Sequence, residues 1–482
     1  MNNLTGLIYS LVYIFIILGL ATLVAKFSRG TSETSRKLVH VLVGNWVFLT
    51  PFFSDLWAVV LVPFTFIIIN SLSIRYNLIK AMERNDDSLG TVYYAVSLFV
   101  LSGAGFILGW RALPYIGILT MAYGDGLAAV VGKKWGKRKP FSIAPDKSLV
   151  GSLTVFLAAF IVTSASLYIF REDALSAGHN VSLILFVALL TAFVSAFIEL
   201  TGHKGCDNLT LPIGSALFAS LSIRSASPGY FIYIFISISI LLAAFKLKSI
   251  TTDGIVAALL TAVTLYSLGG VWIASSLLIF FILGSLVSKI RNDVKRKAED
   301  LQEDTGARNW KQVLANSLPA SVLLWLYFLN PDERIFLLLS FTVFSAAASD
   351  TFSSEIGMLS KGKVFSILTG KPLPNGVSGG VSITGLLAGL FGSVLLSLLA
   401  VPEFGMAGFI TAALLGFSGS LIDSILGASI QRKYTGLKGQ LQDKSGPHHE
   451  RHVGGFRLIT NNAVNLLTLI LVPLIGYILL AN

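Results

Sequence analysis

Three polar clusters interrupt apolar stretches in the first half of the chain, and their residue types suit phosphate chemistry. Asp125 stands between Gly124 and Gly126 inside an apolar run that continues to Gly132. A carboxylate in such a run is expensive to bury and marks a working group, and flanking glycines let a backbone or a phosphate come close. Asp146, Lys147 and Ser148 precede Gly151 and Ser152 at the start of the next apolar run. Free amides at a helix N-terminus, with a lysine and hydroxyl donors, make a phosphate site without any Walker sequence. Asp146 reads equally well as a plain helix cap. Glu199 is followed by Asp207, Asn208 and Pro212. Asp125, Glu199 and Asp207 are oxygen ligands of the kind that hold one or two Mg²⁺ ions bridged to phosphates. Arg36, Lys37 and His40 open another apolar segment, and Lys133 begins a basic run through Lys139. Cations there suit a nucleotide, and His40 suits proton transfer or, as readily, an interfacial imidazole satisfied by a backbone carbonyl.

The second half carries a different set. Asp350, Thr351, Ser353, Ser354 and Glu355 end one apolar segment, and Asp423 lies in another after Gly416 and Gly419. Acids buried on different helices are expected to share a cation, so Asp350, Glu355 and Asp423 are metal candidates. The loop Thr369, Gly370, Lys371 with Asn375, Gly376, Gly379 and Gly380 reads as a phosphate cradle or as a glycine-rich connector. Arg308, Asn309, Gln312 and Asn316 form a turn-spaced stripe that reads as a phosphate clamp or a solvated face.

The elements that must position these groups are membrane helices. Of 482 residues, 54% are hydrophobic and 13% charged, against about 25% charged in a soluble domain. An all-α polytopic membrane protein of about sixteen spans is expected, the first over 4–25, too long for a cleavable signal, and the last over 461–480. The segments near 208, 318 and 335 are short enough for half-helices or re-entrant stretches. If spans alternate, every Lys and Arg except Arg111, Arg171, Arg224 and Arg334 falls on one side, out of 36 in all. That side, which also bears the polar clusters, is expected to be cytosolic. The net charge of +11 is scattered over short loops, which suits orientation in a bilayer and phosphate substrates better than nucleic acid. Cys206 is the only cysteine, which excludes a disulfide framework and a thiolate metal cluster. A Ser/Pro/Gly turn near Arg224 to Gly229 divides the chain into 1–226 and 227–482, with no internal repeat of the kind inverted-repeat transporters carry.

Arg36, Lys37, His40, then Gly124, Asp125 through Gly132 and Gly136, then Lys147, Ser148, Gly151, Ser152, and finally Glu199, Asp207, Asn208, Pro212 follow the order of the dolichol kinase and phytol kinase family. The resemblance covers roughly residues 30–222. It implies CTP-dependent phosphorylation of a polyprenol or phytol-like alcohol. Val150 stands where that family usually has a glutamate. Residues 240–480 resemble a second membrane family whose plant member is a phytyl-phosphate kinase. The matching stretches there are Thr252 to Gly254, Arg308 to Asn316, Asp350 to Gly357, Gly376 to Gly380, Gly419 to Gln431 and Asn461 to Asn465.

Together these imply a bifunctional kinase that makes an isoprenyl monophosphate and then the diphosphate. Its partners are a lipid bilayer, the isoprenoid alcohol or its phosphate, and a nucleotide, with Mg²⁺ as cofactor and CTP as donor. A bacterial or archaeal cytoplasmic membrane is the expected location. A cytidylyltransferase making a CDP-lipid and a transporter of isoprenoid phosphates or anions are the alternatives; one-sided polarity disfavours the transporter.

Overall fold

The computed structural model describes residues 3–27, 32–76, 89–140, 144–173, 175, 178–202, 205–302, 306–436, 439–444 and 451–480, with backbone alone at 21, 25–27 and 32–36. It is helical nearly throughout, and it divides into two compact units, Met1–Ala226 and Ser227–Asn482.

The first unit runs α1 (Asn3–Phe27), α2 (Ser32–Gly44), a 3₁₀ segment (Asn45–Phe52), α3 (Leu56–Tyr76), α4 (Gly90–Leu108) and α5 (Ala112–Leu119). A π-helical turn (Thr120–Asp125) then leads into α6 (Gly126–Trp135), followed by α7 (Leu149–Ile169), α8 (Val181–Thr201) and α9 (Asp207–Arg224). A π-helical turn inserts a residue into the α-helical ladder and re-aims the side chain at its end, a distortion found most often at functional sites. Here that side chain is Asp125. Phe15, Ile161 and Ile169 lie on helices yet are more than 60% exposed, as lipid-facing side chains must be when the solvent is hydrocarbon.

The second unit runs α10 (Pro228–Lys246), α11 (Thr252–Lys289), α12 (Asp293–Glu299), α13 (Trp310–Leu329), α14 (Ile335–Gly357), a hairpin of β1 (Phe365–Ser366) and β2 (Gly380–Val381), α15 (Ile383–Ser397) and α16 (Val401–Ser429). A short antiparallel sheet follows, in the order β4 (Leu441–Gln442), β3 (Lys433–Thr435), β5 (Arg451–Gly454), and α17 (Asn461–Leu480) ends the unit. The α14 helix is its centre, 72% of its apolar window being buried. Small residues make that possible. A Cβ on Gly389 of α15 would stand 3.1 Å from the Ser349 carbonyl of α14, and one on Gly419 of α16 would stand 2.5 Å from the Ala346 Cβ. Helices in lipid associate by such close approach.

Among the described residues twelve helices are long and apolar enough to cross a membrane, fewer than the count expected from the sequence. Two of them are composite, because α11 breaks at Gly270 (φ 84°) and the stretch Ile383–Ser429 holds a break at Gly405 (φ 62°). Lys37–Phe52 is shorter, and α9 is not among the twelve. The segments near 318 and 335 are full-length helices rather than half-helices. Their polar ends, Trp310 to Ser317 and Asp350 to Gly357, stay helical and escape a hydropathy reading.

Gly389→Val should lower the thermal unfolding midpoint in detergent, at a cost of about 1–3 kcal/mol for overpacking. Gly19→Val on α1, where nothing lies within 4 Å of the added carbon, should leave the midpoint unchanged. Equal midpoints for the two variants would disprove the α14–α15 packing.

Candidate functional site

In the first unit the polar groups converge. Lys37 Nζ on α2 meets Asp125 Oδ2 at 2.7 Å, and His40 Nε2, one turn on, stands 3.5 Å from the same oxygen. The His40 ring stacks on Tyr94 of α4 at 4.7 Å, and the Tyr94 hydroxyl donates to the His40 carbonyl at 3.0 Å. Gly126 gives α2 room to come this close, since a Cβ there would lie 2.7 Å from Val41 Cγ2. The glycine after Asp125 therefore admits a helix. Tyr123, in the π-helical turn, donates to Asn45 Oδ1 at 2.7 Å and ties that turn to the 3₁₀ segment.

Lys147, just before α7, forms an ion pair with Glu199 at the end of α8 and stands 4.0 Å from Asp207 Oδ2 at the start of α9. Burial works against the charge on Lys147, but Glu199, Asp207 and Asp125 outweigh it and raise the ammonium above its ordinary range. Burial, then Asp125, raises the Asp207 carboxyl. Glu199 Oε2 is buried and accepts no hydrogen bond among the described residues. Among the described residues no three His, Cys, Asp or Glu side chains converge on one point. A Mg²⁺ ion would therefore take one or two of these carboxylates, Glu199 and Asp207 by position, and complete its shell with phosphate oxygens and water.

The phosphate cradle expected at the start of α7 is largely closed by its own cap. Ser148 Oγ accepts from Gly151 N at 3.1 Å, and Leu149 N donates to the Arg138 carbonyl at 3.0 Å. The cap is Ser148, while Asp146 is exposed. Ser152 is buried with a hydroxyl that has no partner. Lys133 lies in the last turn of α6, and the side chain of Arg36 falls outside the described residues.

The second unit holds a cavity of about 540 Å³ lined by Arg308, Asp350, Glu355, Asn375, Asp423 and others. Asp350 of α14 and Asp423 of α16 both line it, near enough to repel one another as carboxylates. A hard divalent cation between them would relieve that repulsion. Thr468 of α17 donates to Asp423 Oδ2 at 3.3 Å, and Asn465, its amide oriented to suit its neighbours, adds a donor at 3.2 Å. Glu355 does not join them as a metal ligand. Its oxygens are taken by Lys295 Nζ at 2.6 Å and Ser288 Oγ at 2.7 Å. Lys295, fully buried, also donates to the carbonyls of Val287, Ser288 and Ile290 and so caps the end of α11.

Arg308 lies over Phe280 and Phe281, 5.5 Å from each ring. Gly284 makes room for it, because a Cβ there would stand 2.6 Å from Nη2. Among the described residues its guanidinium has no ion-pair or hydrogen-bond partner, so its donors are available to an anion in the cavity. Asn309 and Gln312 instead close a capping box on α13. Asn375 donates to the Met358 carbonyl at 3.1 Å, and Gly376 (φ +95°) abuts the Ala298 carbonyl, where a Cβ would come within 2.5 Å. Lys371 is exposed on the β1–β2 hairpin and does not line the cavity. The sequence reading singled out neither Lys295 nor Asp443, and it named Gln431 and Asn465 only as ends of matching stretches, without a role. All four look like ordinary solvated residues until distant elements enclose them.

Glu199→Gln should destabilise the protein by about 3–5 kcal/mol, because it strands Lys147 without its main partner. Adding Lys147→Met should recover part of that loss. Unfolding of both single variants and the double variant in detergent measures the coupling, and additive losses would show that the pair is not formed.

Residues 235–472 match the family described as integral membrane protein DUF92. The chain is 38% identical over 202 residues to a phytol kinase of a Synechocystis species, covering 41% of this chain and 83% of that protein. It is 32% identical over 278 residues to Protein PGR of Arabidopsis thaliana, covering 51% of this chain and 94% of the relative. An uncharacterized membrane protein of Methanocaldococcus jannaschii is 33% identical over 189 residues, covering 39% of this chain and 77% of its own length. No solved structure matches the chain. The chain belongs to the phytol kinase family and carries, within its second unit, a region of the DUF92 integral membrane type.

Proposed function

We propose that this protein is a bifunctional membrane isoprenoid-alcohol kinase: its first unit phosphorylates phytol or a polyprenol from CTP, and its second converts the monophosphate to the diphosphate. The observation that carries the first step is the facing of His40 Nε2 and Lys37 on Asp125, beside Lys147, Glu199 and Asp207. It is joined by the similarity to a protein named phytol kinase.

The alcohol oxygen forms a bond to the γ-phosphorus of the nucleotide, the bond from that phosphorus to the β-phosphate oxygen breaks, and the nucleoside diphosphate leaves. The alcohol's proton passes to His40, and Asp125 stabilises the imidazolium that forms. Lys37 and Lys147 offset the charge on the transferring phosphoryl group. Mg²⁺, when bound, neutralises phosphate charge and aligns the donor. In the second unit Arg308 holds phosphate oxygens, and Asp350 with Asp423 receives the cation. The polar sites face the cytosol, where the nucleotide is.

Asp125→Asn and Asp207→Asn should each lower monophosphate formation from free alcohol by at least about a hundredfold, while added monophosphate is still converted to diphosphate. Asp350→Asn or Asp423→Asn should do the reverse, so that labelled alcohol stops at the monophosphate. Products are resolved by mass, which also separates a monophosphate from a CDP-lipid. Unchanged first-step turnover in Asp125→Asn, or full diphosphate yield in both second-unit variants, refutes the corresponding half of the scheme.

Orientation has its own check. In a Cys206→Ser background, Lys134→Cys should react with an impermeant thiol reagent only from the cytosolic side and Asp332→Cys only from the other. Labelling of both from one side would reject the arrangement.

A further inference from the structure

One end of the second unit's cavity is not used by the phosphoryl transfer just described. It is built by the short sheet. Gln431 lies just before β3 and forms an isolated bridge with Phe456, and Asp443 follows β4. The two are only 2% and 3% exposed, yet both line the cavity. Asp443 Oδ2 is fixed by the Ser378 amide at 2.9 Å and by the Ser378 hydroxyl. The neighbouring cation, Lys433, points its Nζ at the Ser378 carbonyl, 3.0 Å away. Asp443 Oδ1 and Gln431 Nε2 are left, buried and without a hydrogen-bond partner among the described residues. Burial raises the Asp443 carboxyl above its usual range.

An unsatisfied buried acceptor or donor costs about 1–3 kcal/mol, so two held rigidly in one cavity need a ligand that supplies their complements. The proposed second reaction has two substrates. An isoprenyl monophosphate has no polar atoms outside its phosphate, which belongs with Arg308. A nucleotide has hydroxyls that donate and accept, and a base edge that does both. The cavity volume is within the range of small-molecule sites. We infer that Asp443 and Gln431 recognise the nucleoside portion of a nucleotide: Asp443 Oδ1 accepts from a ribose hydroxyl or an exocyclic amine, and Gln431 Nε2 donates to a ring or sugar oxygen or nitrogen. This rests on reading the second unit as a nucleotide-using site.

Photolabelling of the full-length protein with an azidocytidine triphosphate, followed by mass mapping of labelled peptides, tests it. Label is expected on peptides within 375–380 or 431–443, competed by CTP. Asp443→Asn turns an amide donor toward the ligand where an acceptor is needed, and Gln431→Leu removes the donor. Each should weaken that label by about tenfold or more, with an unfolding midpoint equal to wild type. Undiminished label in both variants, or no label in the second unit, overturns the assignment. Diphosphate synthesis from added monophosphate is followed in the same preparations. Its absence with the label as expected removes the kinase reading and keeps the nucleoside site, and its presence without label does the opposite.

Discussion

A carboxylate within a membrane span must be neutralised, and both units are organised around that constraint. On the insertion scale each such group costs about 2.5–3.5 kcal/mol at a helix centre unless a partner offsets it. The first unit brings cations from outside its long spans: Lys37 from α2 reaches Asp125, and Lys147 from the loop before α7 reaches Glu199. The second unit treats Glu355 in the same way, with Lys295. For Asp423 it supplies the neutral donors of Thr468 and Asn465. Glycine faces on α15 and α16 allow α14 to pack this tightly, and so determine where Asp350 lies.

The groups that announce themselves in the sequence are those that contradict their surroundings. Asp125, Glu199, Asp350 and Asp423 are acids in apolar runs, and their type and spacing suffice to single them out. Their partners are not legible in the same way. Lys37 is 88 residues from Asp125 and Lys147 is 52 from Glu199, so although both lysines stand out as phosphate-binding candidates, nothing local says which acid each meets. Lys295 sits in the run Asp293–Glu299, which reads as a solvated helix until its side chain is found wholly buried. Ser148 misleads in the other direction. A serine before glycines suits both a phosphate site and a helix cap, and the cap is what forms. Lys371 fails for a similar reason, since its glycine-rich neighbours make a hairpin turn.

Val150, where the family resemblance leads one to expect a glutamate, is half-buried in the first turn of α7. The acid it lacks is not replaced by Asp146, which is exposed. Lys147 is instead served from α8 and α9, by Glu199 and Asp207. With a neutral His40, the cluster of Asp125, Glu199, Asp207, Lys37 and Lys147 keeps one acid in excess. That balance suits a site that takes up a divalent cation together with an anionic phosphate, since incoming charges of both signs then find partners.

The proposed scheme of two successive transfers accounts for the difference between the units. An alcohol is a weak nucleophile that must lose its proton, and the first unit has a histidine against an aspartate to take it. A monophosphate is already anionic, so a second transfer needs no base. Its difficulty is the repulsion between the attacking and transferred groups, and cationic donors relieve that. The second unit's cavity has a guanidinium held by two phenylalanine rings, and among the described residues its donors have no ion-pair or hydrogen-bond partner. Arginine's planar fork suits phosphate oxygens where a lysine's point charge would not fix their direction. Arg308 therefore suits the second transfer of the proposed scheme, as His40 suits its first.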